Sequence, residues 1–373
     1  MELSLEAYRL IINGITDRID ICALSRTSKG FQYAAERALY NTIYISNTSS
    51  ALRLWESLSD QPRVSTLVEA LTLSVPEDEN GEVESLPTDY WNLLSRALAR
   101  TTRLRHLNLH FNGIEDPPRA AILSHAAFRL RSFHCDFEWD HDLVKFLDAQ
   151  VDLRDLYIAD FKSLHTLDLS DTPGTSSTAI PPSDVPALPN LAILECTFTE
   201  AAVALVPGRP ITHVKTCFSR TDMDEKRAEM SSLFSKIRLS SRNVHSIDIA
   251  DSSYTESFSM EIISSVANMH PLAELRYIGT LVLPIDGQER LHFYRLLRLL
   301  PQLRSVELEV TEWDPAPTSR AALRALASEL RIYCPSVTCV VFVYDFDRMI
   351  VRVHNGKCDI DSDASSESLW RDV

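Results

Sequence analysis

The stretch Leu299-Leu300-Pro301-Gln302-Leu303-Arg304-Ser305-Val306-Glu307-Leu308 holds the end of one helix and the start of one strand. A helical pattern running from Glu289 ends at Leu300, and Pro301 follows where a helix is stopped. Leu303, Val306 and Leu308 then follow the order apolar-x-x-apolar-x-apolar, whose last two members fall on one face of a strand. The same order recurs as Val68/Leu71/Leu73, Leu104/Leu107/Leu109, Leu130/Phe133/Cys135 and Leu153/Leu156/Ile158. It continues as Leu191/Leu194/Cys196, Ile211/Val214 with Thr216 as a weak third member, Val244/Ile247/Ile249, Leu272/Leu275/Tyr277 and Val337/Val340/Phe342. Central positions lie 20 to 38 residues apart, so the repeat is irregular.

Helical patterns fill the intervals: Tyr90–Arg100, Ala120–Phe128, Asp142–Ala149, Asp222–Leu239, Ser259–Met269, Glu289–Leu300 and Arg320–Cys334. Strand and helix alternating at this period imply right-handed crossovers and a parallel sheet. No single unit can bury its apolar face alone, so neighbours stack into one continuous core. The expected fold is α/β: an irregular leucine-rich-repeat solenoid, a curved parallel sheet with outer helices. An extra match, Leu164/Leu167/Leu169, follows its predecessor too closely for a strand and a return helix, and is read as an insertion or secondary strand. Glu77–Glu84 and Thr172–Pro189 read as exposed loops, and the acidic, Ser-rich stretch from Asp359 reads as a frayed tail.

Ahead of the repeats, residues 2–40 read as three short helices. Leu3, Leu5, Ala7, Leu10 and Ile11 give the first an apolar stripe that Gly14 ends. Asp17 and Asp20 open a second, with Ile21 and Leu24 and with Ile19 as a further candidate for its apolar face, and a third runs from about Phe31 to Tyr40. The organisation is therefore 1–40 helical head, 41–358 solenoid and 359–373 flexible acidic tail.

Composition narrows function. With 52 acidic against 37 basic residues the formal charge is −15, which leaves no surplus of cations for nucleic acid or an anionic membrane. No apolar run approaches the ~20 residues of a membrane helix, and MELSLEAYRL lacks the basic start of a signal peptide. Seven scattered cysteines fit a reducing compartment, cytoplasmic or nuclear. Of nine glycines the closest two, Gly279 and Gly287, stand eight apart, so no dinucleotide fingerprint, Walker-type loop or nucleophile elbow exists.

The head LSLEAYRLIINGITDRIDICALSRTSKGFQYAAERALYNTIYI resembles a short F-box. Leu3-x-Leu5-Glu6 matches the usual Leu-Pro-x-Glu opening, with Ser4 where the family has proline. Leu10-Ile11, Asp20-Ile21-x-x-Leu24 and Thr27-Ser28-Lys29-Gly30-Phe31 follow in the family's order, and Ala38–Ile43 resembles its exit into a first repeat strand. The aromatic-rich last part of a full-length F-box is missing. Head then repeats is the architecture of F-box proteins of the leucine-rich-repeat kind. The resemblance implies a non-enzymatic substrate-receptor subunit of an SCF-type cullin–RING ubiquitin ligase. Leu3, Leu5, Leu10, Ile11, Ile21 and Leu24 would dock on the Skp-type linker, and the solenoid would hold a protein substrate. The same six residues read without the resemblance pack on one another and cap the solenoid end, as in an interaction scaffold unconnected to ubiquitin.

Residues between the apolar strand positions point to the other sheet face. They include His106, Asn108, Ser132, His134, Asp155, Tyr157, His213, Lys215, Ser246, Asp248, Glu274, Arg276, Ser305 and Glu307. A mixed polar stripe of this kind suits a concave protein-binding surface, and equally a face open to water. A catalytic reading centres on His134, His141 and Asp155, but spacing alone assembles no nucleophile, base and orienting group, so no catalytic residue is assigned. Cys334-x4-Cys339 with His354-x3-Cys358 imitates a zinc spacing, yet the first two fall in a helix end and a strand, where thiols pack. Asp359-x-Asp361-x-Asp363 lacks the Gly and Glu of a calcium loop. No cofactor or metal is expected. Trp91 is read as core, and Trp139 and Trp313 as rim residues that a partner would contact.

Overall fold

The computed structural model describes residues 3–74, 86–111, 114, 118–159, 185–251, 253–269, 272 and 274–373. The expected Glu77–Glu84 loop, the Leu164/Leu167/Leu169 match and most of Thr172–Pro189 lie outside them. The chain divides into two compact units, Met1–Pro189 and Asn190–Val373.

The first unit opens with α1 (Leu5–Asn13), α2 (Arg18–Ser25) and α3 (Lys29–Tyr40). Each has a side-chain cap: Ser4 accepts from the Ala7 N–H, Asp17 from Ile19 and Ser28 from Phe31. Then come β1 (Thr42–Ile45), α4 (Thr48–Asp60), α5 (Pro62–Ser65), β2 (Ala70–Ser74), α6 (Tyr90–Arg100) and β3 (His106–His110). A 3₁₀ turn at Ala120–Leu123, β4 (Ser132–Cys135), α7 (His141–Asp148) and β5 (Asp155–Ile158) complete it. β1 to β5 pair in chain order and all parallel, with Leu71 against Leu107, Leu107 against Phe133 and Phe133 against Leu156. Parallel neighbours in chain order, joined by crossovers of one hand, put every connection on the same sheet face.

The second unit contains β6 (Ile193–Cys196), α8 (Thr199–Leu205), β7 (His213–Cys217), α9 (Met223–Ile237), β8 (Ser246–Ala250) and α10 (Glu256–Ala267). β9 (Tyr277–Val282), α11 (Gly287–Leu297), β10 (Ser305–Glu309), α12 (Arg320–Tyr333) and β11 (Cys339–Tyr344) follow. β6 to β11 are parallel and in chain order. β12 (Asp347–His354) and β13 (Lys357–Asp361) then turn back antiparallel, joined by Asn355 and Gly356 at φ 52° and 79°. Two consecutive left-handed residues of this kind match the right-handed twist of a tight hairpin.

The first apolar residue of each repeat lies just before its strand and is sealed in the core. Val68, Leu104, Leu130, Leu153, Leu191, Ile211, Val244, Leu303 and Val337 are all 0% exposed. Truncating any of the leucines to alanine removes about 2–5 kcal/mol.

Three expectations are corrected. The copy written Leu272/Leu275/Tyr277 is displaced by three residues: Ile278 pairs with Ile247 and Val306, and Leu275 takes the sealed position. A bulge causes the irregularity, because Val306 faces Ile278 while Glu307 faces Thr280, leaving Gly279 unpaired with β10. A Cβ at Gly279 would stand 2.0 Å from Asp248 Oδ1, so only glycine allows β8 this close. Secondly, the residues from Asp359 are not a frayed tail: β13 reaches Asp361, and Leu369 and Trp370 are buried. Thirdly, Trp139 is buried rather than a rim anchor, and Trp313 is half-buried with its indole N–H donating to the Leu283 carbonyl at 2.9 Å.

Candidate functional site

The N-terminal helices have a small core of their own. Ile12, Ile21, Ala34 and Ala35 are buried, with Tyr8, Ile15, Leu24, Phe31 and Leu39 packed against them. Gly30 lets α3 lie under the Tyr8 ring, which a Cβ there would meet at 2.3 Å. Of the six residues singled out from sequence, Ile21 and Leu24 are therefore spent inside this core. Leu3, Leu5, Leu10 and Ile11 are left exposed, Leu10 at 73%, and Ile19 joins them at 76%. Ile19 lies beside the Asp17 cap on the first turn of α2, facing away from Ile21.

On the sheet of the first unit the polar stripe is assembled by register. His106, Ser132 and Asp155 form one row and Asn108, His134 and Tyr157 the next. Asn108 Nδ2 donates to Thr72 Oγ1 at 3.3 Å, and the His134 and Tyr157 rings meet edge to face at 6.0 Å. His134 Nε2 lies 3.2 Å from Asp155 Oδ2 and 3.4 Å from Ser132 Oγ. Carboxylate and hydroxyl thus share one ring nitrogen, whereas a hydrolytic relay needs them on opposite nitrogens. His141 lies in the first turn of α7, on a crossover rather than in this row. At the end of β3, His110 Nδ1 faces Asp136 at 3.6 Å, and that carboxylate raises the imidazole pKa by hydrogen bonding. On the crossover side, a cleft of about 820 Å³ between α4, α6 and the 3₁₀ turn is lined in part by Arg96, Arg100 and His125.

In the second unit the corresponding face is covered. Tyr277, Cys339, Val341, Val343 and Ile350 form an apolar cluster with Leu369 and Trp370. Trp370 lies beneath the Arg371 guanidinium at 4.4 Å and faces Lys215 Nζ at 5.6 Å. Its ring also meets His213 at 6.4 Å. Arg371 donates to Glu195 at 2.7 Å, and His213 Nε2 lies 3.3 Å from the Val373 carbonyl oxygen. Burial lowers the His213 pKa, so the imidazole resists protonation.

Of the stripe residues expected here, His213, Asp248 and Glu307 are buried and Lys215 is half-buried. Arg276 precedes β9, and through the displaced register Tyr277 takes its place in the row beside Ser246 and Ser305. Glu307 accepts from the Tyr277 hydroxyl at 2.7 Å and from Thr280 at 3.2 Å, with Arg348 at 3.4 Å. Burial pushes Asp248 up to about 7, helped by the Glu307 charge. The same burial lifts the Tyr277 phenol above its ordinary value.

Away from the sheet face, Lys226 is 1% exposed and its ammonium bonds both Asp251 oxygens and the Ser253 hydroxyl. Cys334 and Cys339 are buried free thiols, Cys334 near the Tyr294 carbonyl and Cys339 in the apolar cluster. Among the described residues no three His, Cys, Asp or Glu side chains converge as metal ligands, and no helix is long and apolar enough to cross a membrane.

No protein-family model matches the chain and no curated protein is similar to it. Among solved structures it is similar to a Bacteroides fragilis protein determined as a structural-genomics target. The identity is 9% and the TM-score 0.38, over 85% of this chain and 76% of that one.

Proposed function

We propose that the chain is a substrate-recognition adaptor of an SCF-type ubiquitin ligase, its N-terminal helices docking on a Skp-type linker and its repeat sheet holding a protein substrate. One observation carries the reading. If the head were only an end cap, its apolar residues would be sealed, yet Leu3, Leu5, Leu10 and Ile11 are between 41% and 73% exposed while the head already has a core without them. Large apolar side chains collected at one end of an acidic chain fit a surface that a partner covers. The docking set is accordingly Leu3, Leu5, Leu10 and Ile11, with Ile21 and Leu24 supporting it from inside. The substrate would meet His106 and the neighbouring row of Asn108, His134 and Tyr157 in the first unit. Catalysis would occur on other subunits, and this chain would act by raising the local concentration of target beside them.

The test is co-purification with a Skp-type linker. Leu5→Asp/Leu10→Asp, both at exposed sites, is expected to abolish capture with the unfolding curve unchanged. Undiminished capture by the variant would overturn the docking assignment. Failure of the wild-type chain to bind any such linker would favour the alternative, a repeat scaffold with no connection to ubiquitin.

A further inference from the structure

The segment Leu369–Val373 sits on its sheet face in the manner of a ligand. Among the described residues its backbone makes no hydrogen bond to any strand backbone. The amides of Leu369, Arg371 and Asp372 bond back to Ser366 and Ser368 instead. What holds it is side-chain recognition: Leu369 and Trp370 in the apolar cluster, Arg371 on Glu195, and His213 at the Val373 carbonyl oxygen. The residues leading to it from β13, 362–368, form no helix or strand and are mostly exposed.

The surface beneath is not composed like a permanent interior. It presents Ser246, whose buried hydroxyl has no partner, and Asp248, which accepts no hydrogen bond among the described residues. Glu195 and Glu307 lie on the same face, Glu195 with Lys215 at 3.2 Å and Glu307 with Arg348 at 3.4 Å, which leaves Asp248 as the carboxyl there without a hydrogen bond. A buried carboxyl and an orphan hydroxyl cost free energy unless the covering layer satisfies them, and among the described residues Leu369–Val373 makes no hydrogen bond to Asp248 or Ser246. Such a face is suited to an occupant that comes and goes.

We propose that this face of β6 to β9 is a peptide-binding site which residues Leu369–Val373 fill in cis, and that its partner is a peptide presenting an apolar residue, an aromatic and a basic residue in succession. The aromatic enters between Lys215 and His213, the basic side chain stacks on it and pairs with Glu195, and the leading apolar residue joins the apolar cluster that includes Tyr277. A partner must displace the resident segment, so the chain restrains its own binding in the unliganded state. The inference rests on the adaptor reading only in taking this face as one that meets a partner. Linker capture and peptide binding are separate measurements, and either can fail while the other succeeds.

The probe is a fluorescein-labelled, C-terminally amidated peptide of residues Ser365–Val373, followed by polarisation. The full-length chain carrying Trp370→Ala/Arg371→Glu, which empties the face, is expected to bind it at least tenfold more tightly than wild type. Adding Glu195→Arg is expected to lower that affinity at least tenfold, and a peptide with glutamate in place of its arginine to restore it. A variant folded by circular dichroism that fails to bind, or binds without regard to Glu195, would overturn the proposal. If the variant does not fold, hydrogen exchange on wild type decides: excess peptide should speed exchange at 369–373, and unchanged exchange would refute displacement. Concentration-dependent wild-type dimers that the variant cannot form would assign the segment to a second copy, and overturn the separate partner.

Discussion

Replacing Asp248 with asparagine should stabilise the chain, and more so at alkaline than at acid pH. The carboxyl sits over Gly279 with Glu307, Glu195, Lys215 and Arg348 as the charges acting on it, and its pKa rises from 3.8 to about 7, chiefly through burial. Below pH 3.8 the group is protonated in both folded and unfolded chains and costs nothing. Between 3.8 and about 7 the folded chain retains a proton that the unfolded chain releases, so stability falls as pH rises. Above 7 the full cost is present. At ~1.4 kcal/mol per tenfold change in proton affinity it is about 4 kcal/mol. About 1.6 kcal/mol of that has accrued by pH 5. Asparagine has the same shape and no charge, so its advantage over aspartate should grow by about 2.5 kcal/mol between pH 5 and pH 8. Urea unfolding followed by tryptophan fluorescence reads this difference, because titrating groups that do not interact with Asp248 cancel between the two chains. A difference that is the same at both pH values within ~0.5 kcal/mol would refute the reasoning.

Two further perturbations separate packing from charge. Lys226→Met leaves Asp251 buried without its cation and should cost about 3–5 kcal/mol, whereas Lys226→Met/Asp251→Leu should recover most of the loss; equal losses in urea unfolding would show that the pair is not the cause. Gly279→Ala places a methyl 2.0 Å from Asp248 Oδ1 and 2.9 Å from its Cα, so strand separation is forced and about 1–3 kcal/mol is lost. Asp248→Ala in the same chain should relieve only the side-chain part, and complete rescue of the melting temperature would contradict a backbone clash.

Repeat strands were legible because two independent demands coincide in them: alternation within the strand, and a sealed apolar residue three positions before its centre. Leu130 with Phe133, or Leu303 with Val306, satisfies both. β9 defeats the same reading because Leu272, Leu275 and Tyr277 fit the pattern as well as the true set, in which Ile278 faces Ile247 and Gly279 admits the close approach of Asp248. α4 escaped notice although its signal was present: Asn47 caps the Ser50 amide at 2.7 Å, and Ala51, Trp55 and Leu58 form a helical stripe that is entirely buried. In the head, periodicity identified the apolar residues but not their division, since Ile21 and Ile19 are equally apolar and lie on opposite sides of one helix turn.

The end of the second unit shows why composition misled. From Asp359 onward acidic and serine residues outnumber apolar ones, and such a stretch is ordinarily solvated. Charge counting takes no account of partners, though. Asp359 pairs with Arg324 and Asp361 with Arg352, so the acids of β13 are matched by arginines from α12 and β12. Asn355-Gly356 is a strong hairpin signal, and it shows that the chain turns back before the acidic run begins. Beyond that turn it runs back beside β12 as β13, and Leu369 and Trp370 anchor the residues that follow, the aromatic alone burying roughly 150–250 Å². Two residues are too few to register in a window average. They are enough, however, to convert an open polar sheet face into a covered one, which a count giving a net charge of −15 does not reveal.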